Sequence, residues 1–161
     1  MKEDIKNNLE GLLFGTMEGI VMTLGVILGL NSVTPSKFII VAGALAAGIS
    51  DAFANASGFH VVEESQNEHT KKEIYISTFL TFISTLTVNI VILIPILVLP
   101  LSSAVTLSFI LGSLLLITLG YFVGRSTKEN RFKIALEYLL IGIMVAVICS
   151  FIGQLTSRLG I

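Results

Sequence analysis

Long runs of apolar residues, separated by short polar stretches, make up most of this chain. A hydrocarbon core about 30 Å thick requires roughly 20 apolar residues per helix, and five runs reach that length. They fall near residues 11–31, 36–60, 74–99, 102–123 and 133–157. The pattern therefore predicts an all-α integral membrane protein with five transmembrane helices, forming a single domain over residues 1–161.

The composition agrees with a membrane location. Hydrophobic residues make up 53% of the 161 residues and charged residues only 13%, whereas soluble domains carry about 25% charged residues. The formal net charge of -1, with no basic patch, gives no indication of a nucleic-acid partner. We therefore expect a multi-pass protein of the cell membrane, or of a vacuole-like membrane in a eukaryote.

The lysines and arginines predict an orientation. Eight of the ten fall in the N-terminal tail and in the second and fourth connections, and two fall on the opposite side. Because basic residues concentrate in cytoplasmic loops, the N-terminus should be cytoplasmic and the C-terminus outside. The eight are Lys2, Lys6, Lys71, Lys72, Arg125, Lys128, Arg131 and Lys133, and the two are Lys37 and Arg158.

Two carboxylates, Glu18 and Asp51, lie within the first and second predicted spans. A charge near the bilayer centre costs about 2.5–3.5 kcal/mol, so such residues usually face a bundle interior or a water path and often mark function. Met22 and Asn55 each follow an acid by four residues and share its helix face. These four side chains are our candidate metal ligands.

A structural interpretation of the two acids is also open. Small residues such as Gly15 and Gly19 permit close approach of helices. The first two helices would then pack tightly, and hydrogen bonds to Ser50, Asn55 or Thr23 would neutralise the carboxylates.

Two further polar sets stand out. In the third span, Thr78, Thr81, Thr85 and Asn89 recur at helical spacing, which predicts a polar stripe that lines a path or forms interhelical hydrogen bonds. Beyond the second span, His60, Glu64 and Glu68 would share a face if the helix continues. They predict a divalent-cation collecting site at the cytoplasmic mouth; the alternative is a solvated helix end with a Glu68–Lys72 pair.

The motifs around the acids resemble those of the vacuolar iron transporter family. The first helix reads MEGIVMTLGVILGL where the family typically has an Asp-Gly pair, and the second reads DAFANASGFH where it has Asp-Ala-x-x-Met-x-x-Gly-Glu-Tyr. The segment LGYFVGRSTKENRFKIALEYLLIGIMVAVICSFIGQL resembles the family's Gly-Arg loop and last helix. Asp51, Ala52 and Gly58 match, while Glu18 replaces an aspartate and Asn55 a methionine.

The resemblance implies a homodimer that exports Fe²⁺ or Mn²⁺ from the cytosol along a path at the dimer interface. Glu18, Asp51, Asn55 and Met22 would hold the transported ion, with no other cofactor, and the crowded acids would carry protons in exchange. The chain resembles a short member, because only about a dozen residues replace the family's Glu- and Met-rich cytoplasmic segment. Asn55 supplies a hard oxygen instead of a thioether, so Mg²⁺ and Ca²⁺ also fit.

Two other classes of function are weighed against transport. A non-transporting membrane scaffold or accessory subunit would bind partner helices through the small-residue faces. An enzyme is not expected, because the sequence has no nucleophile-elbow serine motif, no HExxH and no paired intramembrane aspartate motif. Replacing Glu18 or Asp51 by its amide separates the two: a transporter should lose metal flux while remaining folded, whereas a scaffold should keep its assembly and function.

Overall fold

The computed structural model describes residues 2–66 and 68–159, and within them the chain forms five long helices and no strand. Each helix is long and apolar enough to cross a membrane. The predicted all-helical fold with five candidate spans is therefore confirmed. The helices are α1 (Lys2–Val33), α2 (Lys37–Gln66), α3 (Lys71–Val98), α4 (Leu101–Ser126) and α5 (Arg131–Leu159).

The helices extend beyond the predicted spans at most ends. Only the second predicted span begins one residue before its helix, and only the third ends one residue after it. Candidate spans of 26–30 residues rise about 39–45 Å at 1.5 Å per residue, which exceeds a hydrocarbon core of about 30 Å. Polar residues therefore continue the helices outside the apolar layer. The described side chains begin at Asn8, so the side chains of Lys2 and Lys6 lie outside them, and the orientation stays a prediction.

Helix α1 is the centre of the bundle. It packs against each of the other four helices, whereas α2 packs mainly on α1 and α3, and α5 mainly on α1 and α4. Helices α2 and α5 both pack against α1 but have no extensive contact with each other. A strip of α1 therefore stays open between them. This strip forms the floor of an apolar groove of about 590 Å³.

Two threonines of α3 join it to the first half of α1. The hydroxyl of Thr81 donates to the carbonyl oxygen of Gly11 at 3.0 Å, and that of Thr85 donates to Gly15 at 3.0 Å. Both threonine side chains are fully buried. The glycines expose their carbonyl oxygens to α3 because no side chain separates the two backbones.

The other two members of the polar stripe also join helices. Asn89 donates from Nδ2 to the hydroxyl of Thr23 at 3.0 Å and to the carbonyl oxygen of Ala44 at 3.2 Å. Thr78 Oγ1 lies 3.1 Å from Nδ1 of His60. The structure therefore favours interhelical hydrogen bonding over the lining of a path within one chain.

The apolar core occupies the half of the bundle that holds the C-terminal part of α1. Lipid tails are as apolar as these side chains, so close packing rather than water exclusion holds the helices together here. The serine Ser108 adds a hydrogen bond from α4 to the carbonyl oxygen of Ile92 at 2.8 Å. The largest buried side chains include Ile20, Leu24, Ile27, Ile40, Ile92, Leu93, Ile96 and Leu116.

Candidate functional site

Glu18 and Asp51 both lie near the middle of a candidate membrane span. Glu18 is ten residues after Asn8 and fifteen before Val33, and Asp51 lies midway between Lys37 and Gln66. Both side chains are half-buried, and the two carboxylates are close enough to repel each other electrostatically. The structure thus brings the two predicted acids together where an uncompensated charge is most costly.

Asn55 contacts Asp51 directly. Its Nδ2 donates a hydrogen bond to Oδ2 of Asp51 at 3.0 Å, which leaves the carbonyl oxygen of the amide outside this bond. Thr23 is engaged elsewhere, since its hydroxyl donates to the carbonyl oxygen of Gly19 at 2.6 Å. The sequence also allowed the acids to be neutralised by hydrogen bonds to Ser50, Asn55 or Thr23. Of these, the bond from Asn55 to Asp51 is present.

Met22 connects the acidic pair to the open groove on α1. It lies one turn after Glu18, is half-buried, and lines the groove. Residues of α1 at the same helical spacing continue the groove floor as far as Val33, and α5 forms one wall through Val145 and Cys149. Glu18 therefore stands at one end of a groove that follows the exposed face of α1.

The face of α2 next to Asp51 is open and built of small residues. Ser50, Ala54 and Gly58 are exposed, and a Cβ atom placed on Gly58 would meet nothing within 4 Å. Only 22% of the most apolar stretch of α2 is buried inside the protein, against 44% for α1 and α3. Such a surface permits a close approach by another helix.

One chain offers an incomplete ligand set. Within residues 2–66 and 68–159, no group of three or more His, Cys, Asp or Glu side chains could hold a metal ion. Glu18, Asp51, the Asn55 oxygen and the Met22 sulfur are fewer than the six or more ligands that hard divalent cations prefer. A divalent cation held by these four groups would need further ligands.

The structure does not bring the residues of the predicted collecting site, His60, Glu64 and Glu68, onto one helix face. Helix α2 ends at Gln66, so Glu68 does not continue its face. His60 contacts Thr78, and Glu64 forms an ion pair with Lys71. The three side chains are therefore not assembled, because Glu68 lies two residues beyond the end of the helix that carries the other two.

Glu63, which sequence reasoning missed as a candidate, is buried instead. Its exposed fraction is 4%, and its neighbour Glu64 is exposed. The spacing of small residues could have revealed it, because they recur every four positions on the buried face of α2 and Glu63 follows two turns later. Those residues are Ala44, Gly48, Ala52 and Ala56.

The fold and the two central acids define a multi-pass membrane protein with acidic groups in the middle of its spans. The model of the VIT family, the vacuolar iron transporters, matches residues 9–78. Most of α1, all of α2 and the first turns of α3 lie in this range, so it includes Glu18, Asp51 and Asn55. The match confirms the predicted resemblance over these residues, and the family suggests a metal ion transporter. No curated protein matches the chain.

Proposed function

We propose that the protein transports divalent metal ions of the Fe²⁺ and Mn²⁺ class out of the cytosol in exchange for protons. The path would lie between two copies of the chain and be lined by α1 and α2. The observation that carries the proposal is the pair of half-buried carboxylates of Glu18 and Asp51, which lie at mid-span on two helices that pack together. Both acids lie inside the residues that match the family.

The repulsion between the two carboxylates supplies a mechanism. A dication bound between them, with the Asn55 oxygen and the Met22 sulfur as further ligands, removes the repulsion. When the ion leaves, two bare charges at mid-span would each cost about 2.5–3.5 kcal/mol. Protons that bind the vacated oxygens remove this cost, so release of the metal and uptake of protons are alternatives at one site.

A homodimer accounts for the incomplete ligand set and the open surfaces. In a two-fold assembly each copy offers the same patch to the other, so the ligands near the axis are doubled. Four acids, two amide oxygens and two thioethers would then face one path. The open face of α2 and the groove on α1 lie beside the acids and supply the surface for such contact.

The direction of transport follows from the proposed orientation. With the N-terminus in the cytoplasm, the α2–α3 and α4–α5 connections face the cytosol, and the groove beyond Met22 leads outward. Ions would therefore enter near the end of α2 and leave along α1.

The test is metal flux into proteoliposomes, with Fe²⁺, Mn²⁺, Mg²⁺ and Ca²⁺ supplied separately. Glu18→Gln and Asp51→Asn should each lower flux by about tenfold or more, because even outer-shell partners of metal ligands are typically worth 10- to 100-fold. Glu137→Gln is the matched control, since Glu137 pairs with Lys133 at 3.9 Å on an exposed helix end. Flux no greater than in protein-free vesicles, in the unmodified chain and in all variants, would support the scaffold alternative. Equal flux above that level would show that Glu18 and Asp51 do not carry the ion.

The proton requirement is tested in the same vesicles. A proton gradient opposed to metal movement should accelerate metal transport, and metal transport should change the internal pH. Metal flux that stays identical when the gradient is collapsed would contradict exchange while leaving metal transport itself intact.

A further inference from the structure

Glu63 is a buried acid that the central site does not use. It lies near the end of α2, on the side predicted to be cytoplasmic, with an exposed fraction of 4%. Within the described residues, no hydrogen-bond donor reaches its Oε2 atom. A buried carboxylate oxygen without a hydrogen-bond donor is costly, because it has lost its hydrogen bonds to water.

The histidine nearest to Glu63 does not satisfy it. Nε2 of His69 lies 3.5 Å from Oε2, beyond the 2.7–3.2 Å typical of such hydrogen bonds. His69 follows the end of α2, and 19% of its side chain is exposed. The imidazole therefore borders the carboxylate on the solvent side while leaving a gap between the two polar atoms.

A second buried oxygen faces the same region. Oδ1 of Asn8 is also buried without a donor among the described residues. Asn8 precedes Gly11 by about one turn, and Gly11 receives the hydrogen bond from Thr81, so Asn8 lies on the α3-facing side of α1. Glu63 continues the buried face of α2 beyond Ala56. Both residues thus lie on buried helix faces at the same end of the bundle, where α1 begins, α2 ends and α3 begins.

Two positive groups of the described residues near this region are already engaged. Lys71 pairs with Glu64, and the first turn of α3 is capped by Thr70 and Glu73, whose carboxylate accepts from the Thr70 backbone N–H at 2.7 Å. No lysine or arginine pairs with Glu63 in the part of the chain that the structure describes. Two buried acceptor oxygens of the described residues, on Glu63 and Asn8, therefore lack a hydrogen-bond donor, and such oxygens can serve as cation ligands.

We propose that Glu63, His69 and the carbonyl oxygen of Asn8 bind a divalent metal ion between the cytoplasmic ends of α1, α2 and α3. A carboxylate, an imidazole and an amide oxygen suit ions of the Mn²⁺ and Fe²⁺ class. The site is separate from Glu18 and Asp51, and it rests on the proposed function only in taking the ion to be of the transported class. It would deliver ions to the path from the cytosol.

The experiment measures Mn²⁺ binding to the purified full chain in detergent, using the electron paramagnetic resonance signal of free Mn²⁺. The double variant Glu18→Gln, Asp51→Asn removes the central site. We expect this double variant to retain saturable Mn²⁺ binding, and addition of Glu63→Gln to weaken it about tenfold or more. Glu64→Gln, one residue along and paired with Lys71, is the matched control and should leave binding unchanged.

The outcomes separate this site from the proposed function. Absence of Mn²⁺ binding in the double variant, or binding that Glu63→Gln does not change, overturns the site, and Glu63 is then satisfied by water or a proton. Should Glu63→Gln fail to fold, His69→Ala on the exposed side of the site has to weaken binding instead. If Mn²⁺ binding depends on Glu63 but metal flux is undiminished in Glu18→Gln, the central path is overturned and the Glu63 site is supported.

Discussion

Asn55 is the residue at which the chain departs from the motif that its second helix resembles. In place of a thioether it presents an amide, whose nitrogen donates to Asp51 at 3.0 Å. The amide therefore both orients the Asp51 carboxylate and leaves a hard carbonyl oxygen for an ion. Hard oxygen ligands suit Mn²⁺ and Mg²⁺, whereas a sulfur ligand favours softer ions.

Replacement of Asn55 should change ion preference rather than only reduce transport. In Asn55→Met, the loss of the oxygen and the gain of sulfur should raise the ratio of Fe²⁺ to Mn²⁺ flux by roughly tenfold, equivalent to about 1.4 kcal/mol. Competition between the two ions in proteoliposomes measures this ratio. Asn55→Leu is the control for the lost amide, and an equal shift in both variants would exclude a role for sulfur.

At the scale of elements, α1 uses its glycines in two different ways. In its first half they press against α3, and a Cβ atom at Gly19 would lie 2.7 Å from the carbonyl oxygen of Thr85. In its second half they line the groove, and a Cβ atom at Gly29 would lie 3.5 Å from that of Cys149, which is ordinary contact. The same residue type therefore permits close helix contact on one side of α1 and borders the open groove on the other.

Alanine substitutions should separate these two uses. Both Gly19→Ala and Gly29→Ala gain helix propensity of up to about 1 kcal/mol, but only Gly19→Ala introduces overpacking, which typically costs about 1–3 kcal/mol. Gly19→Ala should therefore be less stable than Gly29→Ala. Unfolding of the detergent-solubilised protein by a denaturing detergent measures the difference, and equal stability would show that α1 and α3 separate at little cost.

The helices themselves could be predicted because their signals are local. The length of an apolar run and the distance to the next proline or charged stretch decide where a span lies, and these need no knowledge of the fold. The shared helix face of Thr81, Thr85 and Asn89 could be predicted for the same reason, because helical spacing is a local signal. Their hydrogen-bond partners on α1 and α2 could not be predicted, because they depend on which helices become neighbours.

The polar groups at the end of α2 show where such reasoning fails. Helical spacing alone grouped His60, Glu64 and Glu68, but the helix ends at Gln66 and Lys71 returns to pair with Glu64. Glu63 and Glu64 are adjacent in sequence, but Glu63 is buried and Glu64 is exposed. A run of charged residues does not indicate which of them faces the bundle. The spacing of the preceding small residues does indicate it, because they mark the buried face of α2.

At the scale of the whole molecule, the arrangement of helices leaves the candidate site on a surface. Because α2 and α5 flank α1 without extensive contact, the face of α1 with Met22 is open. The acids next to it are half-exposed in a layer where exposure to lipid is costly. A second copy is the partner that would cover this face and supply the same ligands again.

Cross-linking tests that arrangement. A residue near a two-fold axis meets its own counterpart, and a disulfide requires Cβ atoms about 3.5–4.5 Å apart. In a background without Cys149, single cysteines at Ser50, Ala54 and Gly58 should therefore give oxidised dimers in membranes for at least one position. Val147, 62% exposed on α5, is the control position for random collision in the bilayer. If no α2 position exceeds that control, the interface does not follow α2, and the two copies of the site cannot form one path.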